Sequence, residues 1–339
     1  MIDWLTIRLL GTESVEVRSG FVISLDRDGK IEWQSPKREQ VRGSHDATVS
    51  IRKAHDGNLE VSGNPAKFLQ GHNVWGTSDL RVASDFAHAV TQAAGITLDQ
   101  VARQAVDDLA MICTRIDTTE SWTFDTQPRA LAAVRGIADF GHFKHRGRGS
   151  LLAEGTAYFA QKSRRLSGKA YAKGLELQKH PIPRTLAGAE RITEIAAGLV
   201  RVEFTARSMW LKDRELDVLS RWSRLGVTPS TLHAELMSQL NLSDATMRDA
   251  ATVEGLPPRL NATYQLWLDG HDLRQMFPAR TFYRYRAQLL PHGVDIATKR
   301  PREASNVVPL RVVLTGKPFE VPDWARGTDL YYEPKARAA

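Results

Sequence analysis

The chain has 339 residues, 42% of them hydrophobic, and 46 Lys and Arg against 39 Asp and Glu, a formal net charge of +7, which is typical of a soluble globular protein of about two domains. No apolar stretch approaches the roughly 20 residues of a membrane span, and the N-terminal sequence lacks the basic region of a signal peptide, so we expect a cytoplasmic protein without a membrane partner. The single cysteine, Cys113, excludes an internal disulfide framework and a multi-cysteine metal site.

The first 65 residues predict short strands joined by turns. Five β-rich runs, from "WLTIRLL" to "NLEVSG", are separated by turn sequences such as "DRDGK", a spacing that favours an antiparallel meander. The run "TSDLRVASDFAHAVTQAAG" predicts a helix, because capping residues precede apolar residues at helical intervals. A second helix is predicted from about Thr97 and a third over "PRALAAVRGIADF", with the strand "MICTRIDTT" between them.

The second half of the chain changes from strands to helices. Residues 155–177 predict a hairpin, and "LVRVEFTAR" (199–207) alternates apolar and polar residues as a strand with one packed face does. Beyond about residue 212 the pattern predicts successive short helices, including one over "SDATMRDAATVEG". We therefore expect an α+β domain over residues 1–215 and a mainly α-helical domain over residues 216–339.

Basic residues are concentrated between residues 141 and 180. This stretch carries nine Lys or Arg and two acids. Such a concentration produces a positive field that favours a polyanion such as nucleic acid, although a solvated basic loop is the alternative.

Three predicted strands each present a pair of polar residues on one face. The pairs are Arg115 with Asp117, Tyr171 with Lys173, and Arg201 with Glu203. If the strands are neighbours, the carboxylates can hold Mg²⁺ or Mn²⁺, the tyrosine oxygen can attack a phosphodiester, and a cation can stabilise the developing charge. Cross-strand ion pairs without catalysis are the alternative.

The spacing of the sequence does not decide the role of three further residues. Glu176 is five residues from Tyr171, so a regular strand places it on the opposite face unless Gly174 introduces a bulge or ends the strand. Tyr158, on the other arm of the hairpin, is a rival nucleophile. His72 precedes a helix start and is either a hydrogen-bonded loop histidine or a ligand of metal or phosphate.

Several separated blocks resemble, in the same order, the replication initiators of filamentous bacteriophages, the gene II/gene X protein family. They are "MIDWLTIRL", "PAKFLQGHNVWGTSDL" (65–80), "RIDTT" (115–119), "AYAKGLEL" (170–177), "AAGLVRVE" (196–203), "SNVVPL" (305–310) and "PDWA" (322–325). The resemblance covers essentially the full chain. A shorter resemblance to plasmid rolling-circle initiators with one tyrosine implies a nuclease fold with a central antiparallel sheet.

The family resemblance implies a rolling-circle initiator. Such proteins nick the viral strand at a double-stranded origin, become joined to the 5′ phosphate through a tyrosine, and later reseal the displaced strand. The resemblance maps this tyrosine onto Tyr171, with Lys173 as its cationic neighbour, and leaves Tyr158 a structural role.

A divalent metal, Mg²⁺ or Mn²⁺, is also implied by the resemblance. The expected ligands are Asp117, Glu203, Glu176 and His72. The chain lacks the His-hydrophobe-His pair of better-known nucleases of this type, so the ligand set must rely on acids.

Duplex origin DNA and single-stranded viral DNA are the expected partners. The candidate contacts are Arg115, Arg201, Lys67, Arg164, Arg165, Arg280, Arg284 and Arg286. The last three lie in "PARTFYRYRAQLLPHG", whose spacing fits a helix that reads duplex DNA and equally a packed helix with a solvated basic face. Because no GxxxxGK[ST] loop is present, we expect a separate host helicase, and a host polymerase to extend the primer. The sequence does not decide whether the protein forms an oligomer on DNA. The alternative function is a noncatalytic DNA-binding regulator.

Overall fold

The computed structural model describes residues 1–339 except 18–19, 46, 152–154, 243–245, 249–255, 269–270, 293, 298–306, 310–313, 315 and 335–339. The strands are β1 (Ile2–Leu9), β2 (Phe21–Leu25), β3 (Ile31–Pro36), β4 (Glu39–Arg42), β5 (Thr48–Lys53), β6 (Leu59–Gly63), β7 (Met111–Thr123), β8 (His142–Phe143), β9 (Gly147–Arg148), β10 (Ser150–Leu151), β11 (Thr156–Phe159), β12 (Leu166–Ala172), β13 (Leu199–Arg207), β14 (Leu240–Asn241), β15 (Thr246–Arg248) and β16 (Val307–Pro309).

The helices are α1 (Pro65–Gln70), α2 (Val82–Ala93), α3 (Gln100–Asp107), α4 (Gln127–Phe140), α5 (Lys173–Lys179), α6 (Ala189–Ala197), α7 (Ser208–Asp213), α8 (Arg221–Arg224), α9 (Pro229–Ser238), α10 (Pro258–Leu268), α11 (Leu273–Met276) and α12 (Ala279–Leu289). Short 3₁₀ helices occupy Leu290–His292 and Asp323–Ala325.

A nine-stranded sheet forms the central layer. Its order is β10-β11-β12-β13-β7-β1-β6-β5-β4, and each neighbouring pair is antiparallel. Apolar side chains of one face, among them Leu5, Val202 and Phe204, join the main core together with side chains of α2, α3, α4 and α9. The opposite face is polar, because side chains alternate along each strand, and the loop after α1 covers it at Arg201.

The structure confirms the α+β fold class, with a large antiparallel sheet and flanking helices. The strand predicted over residues 199–207 is β13, and its apolar residues enter the core as expected. The predicted meander is only partly correct, because β2 and β3 form a separate two-stranded ribbon and β1 pairs with β6 and β7. The second arm of the predicted hairpin ends at Ala172, where α5 begins.

The region after residue 216 is helical in part. Helices α10 and α12 pack around their own apolar cluster, which includes Leu260, Phe282 and Leu289. Strand β15 replaces part of the helix predicted over residues 243–255, and the rest of that prediction lies outside the described residues. The domain division at residue 215 stays a prediction.

The last described segment, residues 316–334, returns to the first part of the chain. The indole N–H of Trp122 donates to the carbonyl oxygen of Gly316 at 3.3 Å, and the backbone N–H of Tyr332 donates to Oε1 of Gln70 at 2.8 Å. No helix in the described part of the chain is long and apolar enough to cross a membrane.

Candidate active site

Polar side chains of three adjacent strands meet on the polar face of the sheet. Tyr171 of β12 pairs in register with Arg201 of β13, and Lys169 of β12 pairs with Glu203 of β13. On the other side of β13, Glu203 pairs with Thr119 of β7. Residues that are directly opposite in a sheet point to the same face, so this register brings a phenol, a carboxylate and two cations together.

Tyr171 lies within this group and is 7% exposed. Its hydroxyl donates a hydrogen bond of 3.5 Å to Oε2 of Glu203, and Nζ of Lys169 lies 5.1 Å from the centre of its ring. Burial raises the pKa of Tyr171 well above its usual value, against the opposing charge of Arg201. The phenol is therefore neutral near pH 7 and needs a base to become a nucleophile.

Glu203 connects Tyr171 to Lys169. Its Oε1 forms an ion pair of 2.8 Å with Nζ of Lys169, and the side chain is 2% exposed. Burial raises the pKa of Glu203 to about 8; Lys169 opposes this rise, and Asp3 and Asp117 add to it. Burial works to lower the pKa of Lys169, but the Glu203 carboxylate outweighs it and raises that pKa. Glu203 can thus take up or release a proton near neutral pH.

Arg201 is fully buried and fixes the loop after α1. Its Nη1 and Nη2 donate to the carbonyl oxygens of Asn73 and Val74 at 2.6 and 2.5 Å, and its Nε donates to Oγ of Ser121 at 3.1 Å. The guanidinium is 0% exposed. The structure therefore corrects the prediction that Arg201 contacts DNA, because its donors are used inside the protein.

Asp3 completes the charge balance around Arg201. It lies at a register shift of β1, and its Oδ1 is 3.5 Å from Nη1 of Arg201. The same oxygen accepts hydrogen bonds from Nδ2 of Asn64 at 3.1 Å and from Nδ2 of Asn73 at 2.8 Å. Burial works to raise the pKa of Asp3, but the positive charges of Arg201, Lys173 and Lys169 and the Asn73 bond outweigh it and lower that pKa.

Lys173 and Glu176 form a pair at the junction between β12 and α5. Nζ of Lys173 donates to Oε2 of Glu176 at 2.6 Å and to Oδ1 of Asn73 at 2.8 Å. Burial lowers the pKa of Lys173 to about 7. Burial also works to raise the pKa of Glu176, but Lys173 outweighs it and lowers that pKa.

This junction explains how Glu176 comes to lie beside Lys173 although a regular strand would place it on the opposite face. Glu176 does not reach its position through a bulge at Gly174; the strand ends at Ala172, and a helical spacing of three residues brings Glu176 beside Lys173. Nζ of Lys169 lies over the Tyr171 ring, and the charge of Arg201 acts on the Tyr171 hydroxyl, while the predicted catalytic role of Lys173 stays a prediction.

Asp117 lies on β7 and is 1% exposed. Its two carboxylate oxygens accept hydrogen bonds from Nε and Nη2 of Arg115 at 2.8 and 2.5 Å. The guanidinium of Arg115 also lies 5.2 Å from the ring centre of Trp4, with 37% of its side chain exposed. Arg115 therefore combines an internal ion pair with an accessible surface.

The four predicted metal ligands do not form a metal-binding set in this arrangement. Asp117, Glu203 and Glu176 are each paired with a cation. His72 donates from Nε2 to the carbonyl oxygen of Leu330 at 2.9 Å and accepts at Nδ1 from the backbone N–H of Val74 at 3.3 Å. Among the residues that the structure describes, no three His, Cys, Asp or Glu side chains could share an ion. His72 is thus corrected to a hydrogen-bonded loop histidine, whose pKa burial lowers to about 4.

Three of the remaining predicted DNA contacts lie on two sides of the site. Arg164 is exposed in the turn between β11 and β12, and Arg165 beside it forms an ion pair with Asp213. Lys67 of α1 lies 3.7 Å from Glu176 and is one-third exposed. Their contact with DNA stays a prediction.

Helix α12 carries the other three arginines. Phe282, Tyr285 and Leu289 are buried, which confirms the predicted apolar face. Arg280 and Arg284 are exposed, while Arg286 forms an ion pair of 2.6 Å with Asp295. A DNA contact of this helix stays a prediction.

Sequence reasoning missed Asp3, Asn73 and Lys169 as members of the site. Lys169 had a signal, since it lies two residues before Tyr171 and therefore on the same strand face. Asp3 also had one, because an acid inside an apolar strand requires a buried partner. Asn73 had none beyond its place in the "LQGHN" block, since its partners Lys173 and Asp3 are distant in sequence.

Comparison with known proteins gives consistent matches along the chain. The N-terminal family model of the phage replication-associated protein, the gene 2 protein, matches residues 1–224, and the C-terminal family model of the same protein matches residues 253–334. The chain is 33% identical over 336 residues to the replication-associated protein of Enterobacteria phage I2-2, which covers 95% of both chains. It is 26% identical over 175 residues to the proteins of the same name from Enterobacteria phages M13 and f1, covering 45% of this chain and 40% of theirs.

Proposed function

This chain belongs to the family of phage replication-associated gene 2 proteins, and we propose that it is the nicking and joining enzyme that starts rolling-circle replication. In this proposal Tyr171 attacks a phosphodiester of the viral strand at the origin and later reseals the displaced strand. Membership of the family supports a replication initiator; the nucleophile and the chemistry are our inference.

The observation that carries the proposal is the hydrogen bond between the Tyr171 hydroxyl and Glu203. It joins a buried phenol to a carboxyl whose pKa burial raises to about 8, with Lys169 paired to the same carboxyl. A nucleophile within hydrogen-bond reach of a base that a third group orients is the usual arrangement for covalent catalysis.

The proposed step is a displacement at phosphorus. Glu203 takes the proton of Tyr171, the phenolate oxygen bonds to phosphorus, and the bond from phosphorus to the 3′ oxygen breaks. The 3′ oxygen leaves with a proton from solvent and becomes the primer, while Lys169 offsets negative charge that develops beside it. Because the phosphotyrosine bond keeps the energy of the phosphodiester, attack by a 3′ hydroxyl reverses the step and reseals the strand without ATP.

We propose that the chain acts in the cytoplasm of a bacterial host on duplex origin DNA and single-stranded viral DNA, with a host helicase and polymerase. A requirement for Mg²⁺ or Mn²⁺ stays a prediction.

The decisive experiment compares two tyrosine variants. Tyr171→Phe and Tyr158→Phe each remove one hydroxyl, and both tyrosines face the same side of the sheet, since Tyr158 pairs in register with Lys169. With supercoiled DNA that carries the origin, we expect Tyr158→Phe to nick and to form a protein–DNA adduct in denaturing gels, and Tyr171→Phe to do neither.

Two results would contradict the proposal. An adduct formed by Tyr171→Phe would show that another residue is the nucleophile. Tight binding of origin DNA by the wild-type protein without nicking or adduct would favour the noncatalytic regulator instead.

A further inference from the structure

A basic groove lies on the polar face of the sheet, at the end of β13 away from Tyr171. Its volume is about 510 Å³. Six of the side chains that line it are cations, Arg38, Arg52, Arg115, Lys162, Arg164 and Arg207, while Glu60 is its one acid among the described lining residues. This basic groove is built from several separate strands and turns, so no stretch of sequence displays it.

Buried carboxylates hold three of the cations in place. Glu60 is 3% exposed and pairs with Arg52 at 2.7 Å and with Arg38 at 3.3 Å. Asp117 holds Arg115 in the same way at 2.5 Å. A guanidinium has five N–H donors, and these ion pairs use at most two or three of them, so donors remain for a ligand in the groove.

On the opposite side of the basic groove, no ion pair with a described acid holds the cations. Lys162 and Arg164 are exposed in the turn between β11 and β12, and Arg207 donates to Oγ of Ser167 at 3.0 Å. Burial and the like charge of Arg115 lower the pKa of Arg207, and the nearby carboxylate of Asp117 offsets them only in part. The excess of positive charge favours a polyanion.

We propose that the basic groove binds the phosphate backbone of the single DNA strand next to the cleaved bond, which rests on the proposed function. Arg115 belongs both to the groove and to the acid network of the site, through Asp117. None of the described lining residues is aromatic, so the groove offers phosphate contacts rather than base stacking and reads no sequence.

The geometry also sets how far a DNA strand must extend from the nick to reach the groove. Arg207 and Arg201 are six residues apart on β13, and a strand rises ~3.3 Å per residue, so the groove lies about 20 Å from the register position of Tyr171. That distance corresponds to roughly six stacked nucleotides. Strands that extend less than this from the nick should not reach the groove.

The test compares a double variant that lacks two exposed cations of the groove with a control double variant that lacks two exposed cations outside it. Lys162→Gln with Arg164→Gln is compared with Arg103→Gln and Arg135→Gln, whose residues are exposed on α3 and α4, helices that pack on the apolar face. Affinity for a single-stranded oligonucleotide is measured across salt concentrations, with Tyr171→Phe as the background so that no adduct forms. Thermal melting checks that both double variants are folded.

We expect the groove variant to bind less tightly. The plot of log K against log salt should become less steep by about 1.4, since each lost phosphate contact removes ~0.7 from the magnitude of its slope. The matched variant should keep the slope, and scrambling the oligonucleotide should change neither result. Oligonucleotides that end two nucleotides from the nick on both sides should bind both variants alike.

The outcomes separate this inference from the proposed function. Equal slopes for the two double variants, or full binding of the shortened oligonucleotides, would overturn the groove as the binding surface even if wild-type protein forms an adduct. Loss of binding in the groove variant together with no adduct from wild-type protein would overturn the nicking function and leave the groove as a DNA surface.

Discussion

At the scale of single residues, Glu203 is the group whose ionisation we expect to control the chemistry. Its side chain is buried between Lys169 and Tyr171, and burial raises its pKa to about 8. A base must be ionised to accept a proton. Because the ionised form of Glu203 is lost as pH falls below this pKa, we expect the rate to depend on pH.

We predict that the single-turnover nicking rate rises about fivefold between pH 7 and pH 8 and levels off above about pH 9. The direction follows from the raised pKa of Glu203, since the active carboxylate is lost as pH falls below about 8. Glu203→Gln keeps the shape of the side chain and should nick slowly at every pH. Measured rates from about pH 6 to about pH 10 would check both.

The shape of the profile distinguishes Glu203 from direct ionisation of Tyr171. Burial raises the pKa of Tyr171 well above its usual value, so a rate limited by that phenol would still be rising at about pH 10. Such a continued rise, unchanged in Glu203→Gln, would show that Glu203 is not the base.

At the scale of elements, the close contact between α5 and α6 positions the junction after Tyr171. A Cβ atom on Gly174 would lie 2.7 Å from Cα of Ala197 and 3.2 Å from its carbonyl oxygen. These are backbone atoms, which cannot move aside as a flexible side chain can. Glycine at this position therefore allows α5 to start directly after β12 and to place Lys173 and Glu176 together.

Gly174→Ala should lower the free energy of unfolding by about 1–3 kcal/mol through overpacking, an effect that the better helix propensity of alanine offsets by at most about 1 kcal/mol. Nicking should fall as well, because α5 must shift. Urea unfolding and nicking assays measure these effects.

Gly20→Ala is the matched control for this substitution. A Cβ atom on Gly20 would have no atom of the described residues within 4 Å, so we expect its unfolding free energy to stay within about 0.5 kcal/mol of wild type. Wild-type stability in Gly174→Ala would mean that the two helices can separate without cost.

At the scale of the whole molecule, the C-terminal segment supports the loop that holds the site. The carbonyl oxygen of Leu330 accepts hydrogen bonds from Nε2 of His72 at 2.9 Å and from Nε1 of Trp75 at 2.8 Å. Between these residues lie Asn73 and Val74, whose carbonyl oxygens bind Arg201. Residues at opposite ends of the chain thus determine one loop.

We predict that a chain ending at residue 315 melts at a lower temperature and nicks at least about tenfold more slowly, because it loses these bonds and uncovers the apolar cluster around Trp75. A chain ending at residue 334 keeps every contact named above and serves as the control. Full nicking by the shorter chain would show that residues 1–315 hold the loop unaided.

Local patterns predicted much of the fold and the identity of the central residues. The alternation in "LVRVEFTAR" predicted β13 and the faces of Arg201 and Glu203, because side chains alternate along any strand whatever its neighbours. Helix α4 and the apolar face of α12 followed equally from their spacing. Ribbon β2–β3 and strand β15 did not, because pairing partners decide whether an apolar run joins a sheet.

The sequence by itself determined the fold class, the family and the strand that carries Tyr171, since these depend on local periodicity and on ordered blocks of residues. Only the tertiary structure decided which charges meet. It placed Lys169 over the ring of Tyr171, buried Arg201, used both nitrogens of His72 and joined Lys173 to Asn73 across 100 residues. The reason is physical: the strand order and the end of β12 at Ala172 set these distances, and burial then sets the pKa values.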